Sequence, residues 1–242
     1  GTVTNTSVTN NTITNSSSQG IYLSAANGNS FSSNRIYNPT INGILIASSS
    51  SNDFNNTIIN NSAGDAVSIT TSGTSNSFTN ITVTNTLNTK YDFSTTAAQL
   101  NGTYIIDSHF ANYSIASPGS LVYFKDTNEG EVRFLQLING TGNNLSADIN
   151  IGNNSVFVDS SRSGLNKSAN VTLYNIPVFT NPSILRDGVT CPANICYNYT
   201  ALSGNVIFNV TSCSNYSISG ITNISPSVTL NYPSDNSNFS IT

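Results

Sequence analysis

An all-β fold is the class that this sequence predicts, and three observations predict it. Asn, Ser and Thr supply 40, 39 and 29 of the 242 residues, whereas charged residues make up 7%. The strong helix formers Glu, Lys, Met and Arg are therefore scarce. Short stretches of alternating apolar and polar residues recur along the chain, and a repeat of 22–24 residues orders those of the first half. Because 37% of the residues are hydrophobic, intrinsic disorder is not expected.

The repeat consists of four apolar columns that advance in steps of 23, 23, 24 and 22 residues. A unit of short strands and tight turns at this period is typical of one coil of a parallel β-helix, whose apolar columns stack along the axis. We therefore expect five to seven coils of 22–24 residues. The columns are Val8/Phe31/Phe54/Phe78/Leu100, Ile13/Ile36/Ile59/Val83/Ile105, Ile21/Ile44/Val67/Tyr91/Tyr113 and Leu23/Ile46/Ile69/Phe93/Ile115.

A polar column of Asn15, Asn38, Asn61 and Asn85 follows the same steps. Stacked amides can hydrogen-bond in a ladder, and Asn tolerates the left-handed bend that a coil corner requires. Asn38 precedes proline, which favours an extended backbone there, so the prediction of a structural column rests mainly on the amide ladder. We interpret the column as structural; a polar ligand-binding groove is the alternative.

Residues 29–38 read N-x-F-x-x-N-x-I-x-N and residues 43–46 read G-I-L-I, a close match to the motif N-x-F-x-x-N-x-I-x-N followed by G-I-x-L. On this motif and its repeats, residues 1–115 resemble the right-handed parallel β-helix repeat proteins. That family includes polysaccharide lyases, glycosidases, phage tailspikes and non-catalytic surface proteins. The resemblance therefore implies a fold and leaves the activity open.

The register fades after residue 116, and the rest of the chain predicts a different architecture. Three strand-like stretches (171–174, 206–210 and 216–218), with Pro177, Pro182 and Pro192 between the first and the second, indicate a small antiparallel β-sandwich. Residues 155–220 are similar to a module that follows β-helices in archaeal surface proteins, which implies a location at the cell surface. The predicted units are a β-helix with irregular C-terminal coils or a cap (1–160), the sandwich (161–220) and a tail strand (221–242).

The tail from residue 224 resembles the first strand of an immunoglobulin-like domain. Two interpretations remain open. The parent chain continues into another sandwich domain, or residues 224–242 complete a neighbouring subunit by strand addition, which supplies a ladder of main-chain hydrogen bonds.

The three cysteines lie in the second half. Cys191 and Cys196 flank a proline-containing turn, and in an extracellular protein they are expected to form a local disulfide. Cys213 is then left over, either as a buried thiol or as a link to another subunit. The single histidine, His109, makes a zinc site implausible.

Catalytic chemistry finds little support in the charged residues. Polysaccharide cleavage needs paired carboxylates, or Ca²⁺ with a basic group, and Asp53 and Asp65 have no acidic partner one coil away. The cluster of Asp126, Glu129 and Glu131 is interpreted as a solvated turn, with a cation-binding loop as the alternative. We expect no catalytic residues, cofactor or metal. Seven basic residues and a net charge of −4 argue against nucleic acid, and no apolar run is long enough for a membrane span.

The glycosylation acceptor N-x-[ST] occurs eighteen times with x not Pro. The composition alone makes the motif frequent, so each site is a weak prediction, but the set favours an exported protein with covalent N-glycans. Asn15 is set aside because it belongs to the ladder. The candidates are Asn5, Asn10, Asn55, Asn60, Asn80, Asn101, Asn112, Asn139, Asn144, Asn153, Asn166, Asn170, Asn198, Asn209, Asn215, Asn223 and Asn238.

Together these features predict a non-catalytic extracellular structural glycoprotein that self-assembles. It would serve as a subunit of a cell-surface filament, sheath or S-layer-like lattice, or as the stalk of an adhesin; a virus-borne fibre is a third reading. The alternative is a β-helix that binds or cleaves polysaccharides. Convergence of Asp107, Asp126, Glu129 and Glu131, or aromatic side chains aligned on an exposed groove, would favour that alternative.

Overall fold

The computed structural model describes residues 3–71, 73–87, 89–96 and 99–222. The tail strand expected at 224–242 lies outside these ranges. Short strands separated by turns dominate the first half. In chain order they are β1 (Ser7–Thr9), β2 (Thr12–Thr14), β3 (Ile21–Ser24), β4 (Ser30–Ser32), β5 (Arg35–Tyr37), β6 (Ile44–Ala47), β7 (Asp53–Asn55), β8 (Ile58–Asn60), β9 (Val67–Ile69), β10 (Ser77–Thr79), β11 (Thr82–Thr84), β12 (Phe93–Thr95) and β13 (Gln99–Ile106).

These strands stack as parallel coils with three faces. Face A contains β1, β4, β7, β10 and β13, face B contains β2, β5, β8 and β11, and face C contains β3, β6, β9 and β12. The coil advances by one strand spacing at each turn, so equivalent residues of successive coils lie opposite one another. Phe31 pairs with Phe54, and Phe54 with Phe78, and their rings stack with centroids 4.8 and 5.3 Å apart. All three phenylalanines are buried, as expected for an inward column.

The corners between the faces require a left-handed backbone, which explains much of the composition. Asn and Ser are the non-glycine residues most often used there, because Asn in particular tolerates positive φ at low cost. Three columns of corner residues have φ between +47° and +83°. They are Asn5/Gly28/Ser51/Ser75/Gly102, Asn10/Ser33/Asn56/Asn80/Asp107 and Asn15/Asn38/Asn61/Asn85.

Strand β14 (Tyr113–Asp126) joins the coil stack to the rest of the molecule. Its first part, Tyr113–Ile115, pairs in parallel with β12 of face C. Its later part, from Val122 to Lys125, pairs in parallel with β13 of face A. The same strand then pairs antiparallel with β15 (Gly130–Phe134) and β16 (Ile138–Gly142), so one sheet runs from the coils into the second half.

The second half is a sandwich of two antiparallel sheets. A short helix, α1 (Leu145–Asp148), precedes its remaining strands, which are β17 (Ile149–Gly152), β18 (Ser155–Val158), β19 (Ala169–Ile176), β20 (Phe179–Arg186), β21 (Val189–Thr190), β22 (Cys196–Asn198), β23 (Gly204–Val210) and β24 (Asn215–Thr222). One sheet continues from β14 through β15, β19, β23 and β22; the other has the order β17-β18-β24-β20-β21. The buried rings of Phe208 and Tyr216, from opposite sheets, lie 5.9 Å apart in the core between them.

The predicted register was wrong in the last two coils. Val67 pairs with Phe93 rather than Tyr91, and Ile69 with Thr95 rather than Phe93, because the turn before β12 is two residues longer than its equivalents. On face A, the partner of Phe78 is Ile105 rather than Leu100. Ile105 therefore belongs to the phenylalanine column, although its spacing had assigned it to the column of Val83.

The structure also corrects the expected organisation of residues 116–160. Val122–Lys125 continue the coil stack in parallel with β13, as expected, but from residue 130 onward the strands pair antiparallel, and β15, β17 and β18 belong to the sandwich. The boundary predicted at residue 160 thus falls inside the sandwich, since strands on both sides of it pair. Antiparallel pairing does not place residues one period apart opposite each other, so the antiparallel strands show no 23-residue repeat.

Candidate functional site

The predicted asparagine column lies on an exposed corner of the coil stack. The Asn38 side-chain amide donates to Asn15 Oδ1 at 3.0 Å, and the Asn61 amide donates to Asn38 Oδ1 at 2.7 Å. These residues and Asn85 all have φ between +53° and +56°. Asn38 adopts this bend although Pro39 follows, so the corner geometry outweighs the local preference for an extended backbone.

A second asparagine ladder, which the sequence reasoning missed, is buried inside the stack. The amide of Asn29 donates to Asn52 Oδ1 at 3.0 Å, and that of Asn52 donates to Asn76 Oδ1 at 3.1 Å. Each acceptor oxygen also receives the main-chain N–H of the residue above it in the column. The three side chains are at most 2% exposed, so the ladder satisfies polar groups that would otherwise be buried without partners. The sequence contains a pattern that could have predicted this buried ladder, because each of its asparagines stands two residues before a core phenylalanine.

The glycosylation candidates differ in exposure. Asn101 has a described backbone only, and Asn223 and Asn238 lie outside the described residues. Several acceptor amides already donate hydrogen bonds: Asn170 to Asn209, Asn209 to Tyr199, Asn198 to the Thr200 carbonyl, Asn60 to Thr84 and Asn80 to Asn56. The half-buried candidates are Asn55, Asn60, Asn112, Asn139, Asn166, Asn170 and Asn209, and the exposed ones are Asn5, Asn10, Asn80, Asn144, Asn153, Asn198 and Asn215.

The acidic residues singled out in the sequence are held in structural contacts. Asp107 accepts from the main-chain N–H and hydroxyl of Thr127 at 2.8 and 2.9 Å. Asp126 accepts the main-chain N–H groups of Asn128 and Glu129. Asp107, Asp126 and the exposed His109 line one small cavity of about 50 Å³. Among the described residues, no group of three or more His, Cys, Asp or Glu side chains is arranged to hold a metal ion.

The cysteines occupy two environments. Cys191 and Cys196 are joined by a disulfide in the turn before β22. Cys213 is a free thiol that is 1% exposed and donates to the Lys167 carbonyl. Burial raises the pKa of this thiol to about 11, so it stays protonated and poorly reactive at neutral pH.

The most concentrated chemistry lies on the outer face of the sheet that joins coils and sandwich. One cross-strand row runs over six strands, from β13 through β14, β15, β19 and β23 to β22. A second row, beside it, contains Lys125 and Glu131, with Tyr174 one position beyond. We call the two rows together the tyrosine strip. The first row contains Tyr104, Tyr123, Arg133, Asn170, Asn209 and Tyr197. Tyr199 lies next to the end of this row, where its hydroxyl accepts a hydrogen bond from Asn209.

Contacts along the first row hold its planar side chains in place. The Tyr104 and Tyr123 rings have centroids 4.8 Å apart, and the Arg133 guanidinium lies 5.6 Å from the Tyr123 centroid. Further along, Asn170 donates to Asn209 at 2.9 Å, and Asn209 donates to the Tyr199 hydroxyl at 2.7 Å. An amide has two N–H groups and two acceptor lone pairs, so these bonds leave capacity for a ligand.

Glu131 is the centre of the second row. It accepts from the Tyr174 hydroxyl and, at 2.7 Å, from Arg133 Nε, and Lys125 Nζ lies 3.6 Å away. Burial alone would raise the pKa of this carboxyl. The hydrogen bonds from Tyr174 and Arg133, together with the two cations, outweigh burial and hold the pKa below its ordinary value. The two cations are thus largely neutralised within the strip.

Sequence reasoning missed the strip because its members come from six separate strands. Tyr123 and Arg133 stand on separate strands, and only the pairing of those strands brings them together. Gly102 contributes in a way no spacing reveals: a Cβ there would lie 2.9 Å from the Tyr123 ring. Glycine therefore leaves the space in which that ring packs.

The comparisons with known proteins address the first part of the chain. Residues 1–103 match the family described as "Right handed beta helix region". No curated protein and no solved structure matches the chain. No helix of the described part has the length and apolar character needed to cross a membrane. The family match and the three parallel faces together identify the N-terminal coils as a right-handed parallel β-helix.

Proposed function

We propose that this chain is a non-catalytic structural glycoprotein of an extracellular surface assembly, in line with the similarity of residues 155–220 to a module of archaeal surface proteins. The observation that carries the proposal is that N-glycosylation acceptor sequences lie at the corners of the coil stack, whose coils are linked by asparagine ladders. Asn5, Asn10 and Asn80 are exposed corner residues at the start of N-x-[ST] sequences. Glycans attached there would cover a surface that has few charges to keep it soluble.

The build of the stack supports a mechanical role. Its strands are only three or four residues long in the first four coils, and each strand of the second and third coils is held by a neighbouring strand on both sides. The buried columns of asparagine amides and phenyl rings also link successive coils, so the coils resist separation along the axis. The sheet continues through β14 into the sandwich, which makes the two halves one connected element.

The test is the mass and the assembly state of native protein from its source. We expect its intact mass to fall after enzymatic or chemical removal of N-glycans. Electron micrographs of the same material should show a filament, sheath or lattice. A stable, unmodified monomer would contradict the proposal.

A further inference from the structure

We propose that the tyrosine strip binds a neutral, linear oligosaccharide. The strip goes beyond the structural role proposed above, because a scaffold needs no ligand surface. Its composition sets it apart from the outer faces of the first four coils, which are dominated by Ser, Thr and Asn. Five of the eleven tyrosines of the sequence are gathered here, namely Tyr104, Tyr123, Tyr174, Tyr197 and Tyr199.

The shape of the strip favours a chain-like ligand. Six strands at the spacing of a β-sheet give a length of roughly 24 Å, and two residues on one face give a width of roughly 7 Å. A stable protein partner covers about 800 Å² on each side, which is several times this area. An extended peptide would pair with the edge of a sheet, whereas five of the six strands here have a neighbour on both sides.

The side chains provide the two kinds of contact that a sugar chain needs. Tyrosine rings offer a rigid apolar face for the C–H surface of a pyranose and a hydroxyl at the tip. Asn170 and Asn209 offer amide donors and acceptors between the rings. Tyr197 and Tyr199 are 53% and 63% exposed, so the end of the strip is open to solvent.

The charges of the strip indicate a neutral ligand. Arg133 and Lys125 both lie within ion-pair distance of Glu131, at 2.7 and 3.6 Å. Asp126 and Glu129 lie in the adjacent turn, so an acidic sugar would meet no unbalanced cation. Recognition then rests on stacking and on hydrogen bonds to hydroxyl groups, and the affinity should change little with salt concentration.

The experiment titrates the full chain with neutral hexasaccharides (cellohexaose, maltohexaose and chitohexaose) by calorimetry. We expect a 1:1 complex with at least one of them at millimolar concentration or below. Tyr123→Ala and Tyr199→Ala should each weaken binding by about tenfold, the equivalent of one lost stacking contact of about 1.4 kcal/mol. Tyr199→Phe keeps the ring and should retain most of the affinity. Tyr22→Ala is the matched control, because Tyr22 is 56% exposed on face C, away from the strip.

Circular dichroism and the thermal midpoint report whether each variant folds. If Tyr123→Ala does not fold, Tyr199→Ala still tests the proposal, because Tyr199 is exposed. Absence of binding to all three hexasaccharides at millimolar concentration would overturn the proposal. So would binding that the strip variants leave unchanged, or tighter binding of hexagalacturonate in low salt. A dimer in sedimentation velocity that Tyr123→Ala disrupts would assign the strip to protein association instead. None of these results alters the glycan mass or the micrographs that test the structural role.

Discussion

The coil stack and the sandwich hold their strands together with different side chains. Of the eighteen charged residues in the sequence, only six precede residue 116: Arg35, Asp53, Asp65, Lys90, Asp92 and Asp107. Within the described ranges, every ion pair joins residues between 125 and 187. The stack relies instead on neutral amide columns and stacked phenyl rings, such as Asn52 and Phe54 with their neighbours.

Strand direction and repetition account for this difference. A parallel coil places equivalent positions above one another, so a charged residue kept in the repeat would face its own kind at every turn. Asparagine avoids the repulsion, because one amide both donates and accepts. Antiparallel pairing brings unlike positions together, and Lys125 therefore faces Glu131 across β14 and β15. The repeated parallel architecture thus accounts for the scarcity of charge in the coil stack.

The largest predicted effect tests whether the two regions unfold together. Phe54→Ala in the stack and Phe208→Ala in the sandwich each remove a fully buried ring and should cost about 3–5 kcal/mol in the free energy of unfolding. Because one sheet runs through β14 from coils to sandwich, both variants should lower the midpoint of one common transition in calorimetry. Two transitions that respond separately to the two substitutions would show that the regions are independent.

The same contrast explains how much the sequence could predict. The columns of Phe31, Phe54 and Phe78 were readable because each coil repeats the environment of the last. The predicted register was wrong at Tyr91. Two additional residues in the turn before β12 shift the strand, and an aromatic residue stands at both the predicted position (Tyr91) and the observed one (Phe93). In the sandwich, the pairing of Tyr123 with Arg133 depends on long-range strand order, which leaves no period in the sequence.

A smaller effect separates the buried ladder from the exposed one. Asn52→Ala removes the acceptor of two Asn29 donors inside the stack, and it should cost about 3 kcal/mol because those groups are left buried without partners. Asn61→Gly removes one exposed amide bond and keeps the left-handed corner accessible, so it should cost less than about 1 kcal/mol. Urea unfolding of both variants measures the difference. Equal costs would mean that burial does not distinguish the two ladders.

The smallest predicted effect concerns the ion pairs of the sandwich and appears as a pH dependence. The pKa of Glu131 lies below its ordinary value in the folded chain, so the carboxylate stabilises the fold at neutral pH. That contribution is present above the unfolded-state pKa, near 4.5, and is lost as the pH falls through the lower folded-state pKa. Glu131→Gln should therefore reduce the free energy of unfolding at pH 7 by about 1 kcal/mol or less and flatten its decline in acid.

A matched substitution in the stack makes that comparison specific. Asp53→Asn also removes one negative charge, but Asp53 is exposed and faces Ser30 and Ser77 rather than cations. We expect its pH profile of unfolding free energy to follow that of the unsubstituted chain. If Asp53→Asn and Glu131→Gln changed the acid limb equally, overall charge would be the cause, and the contacts of Glu131 with Tyr174, Arg133 and Lys125 would contribute nothing of their own. A smaller loss of stability in acid for Glu131→Gln alone assigns the effect to those contacts, and so to the antiparallel pairing of β14 with β15.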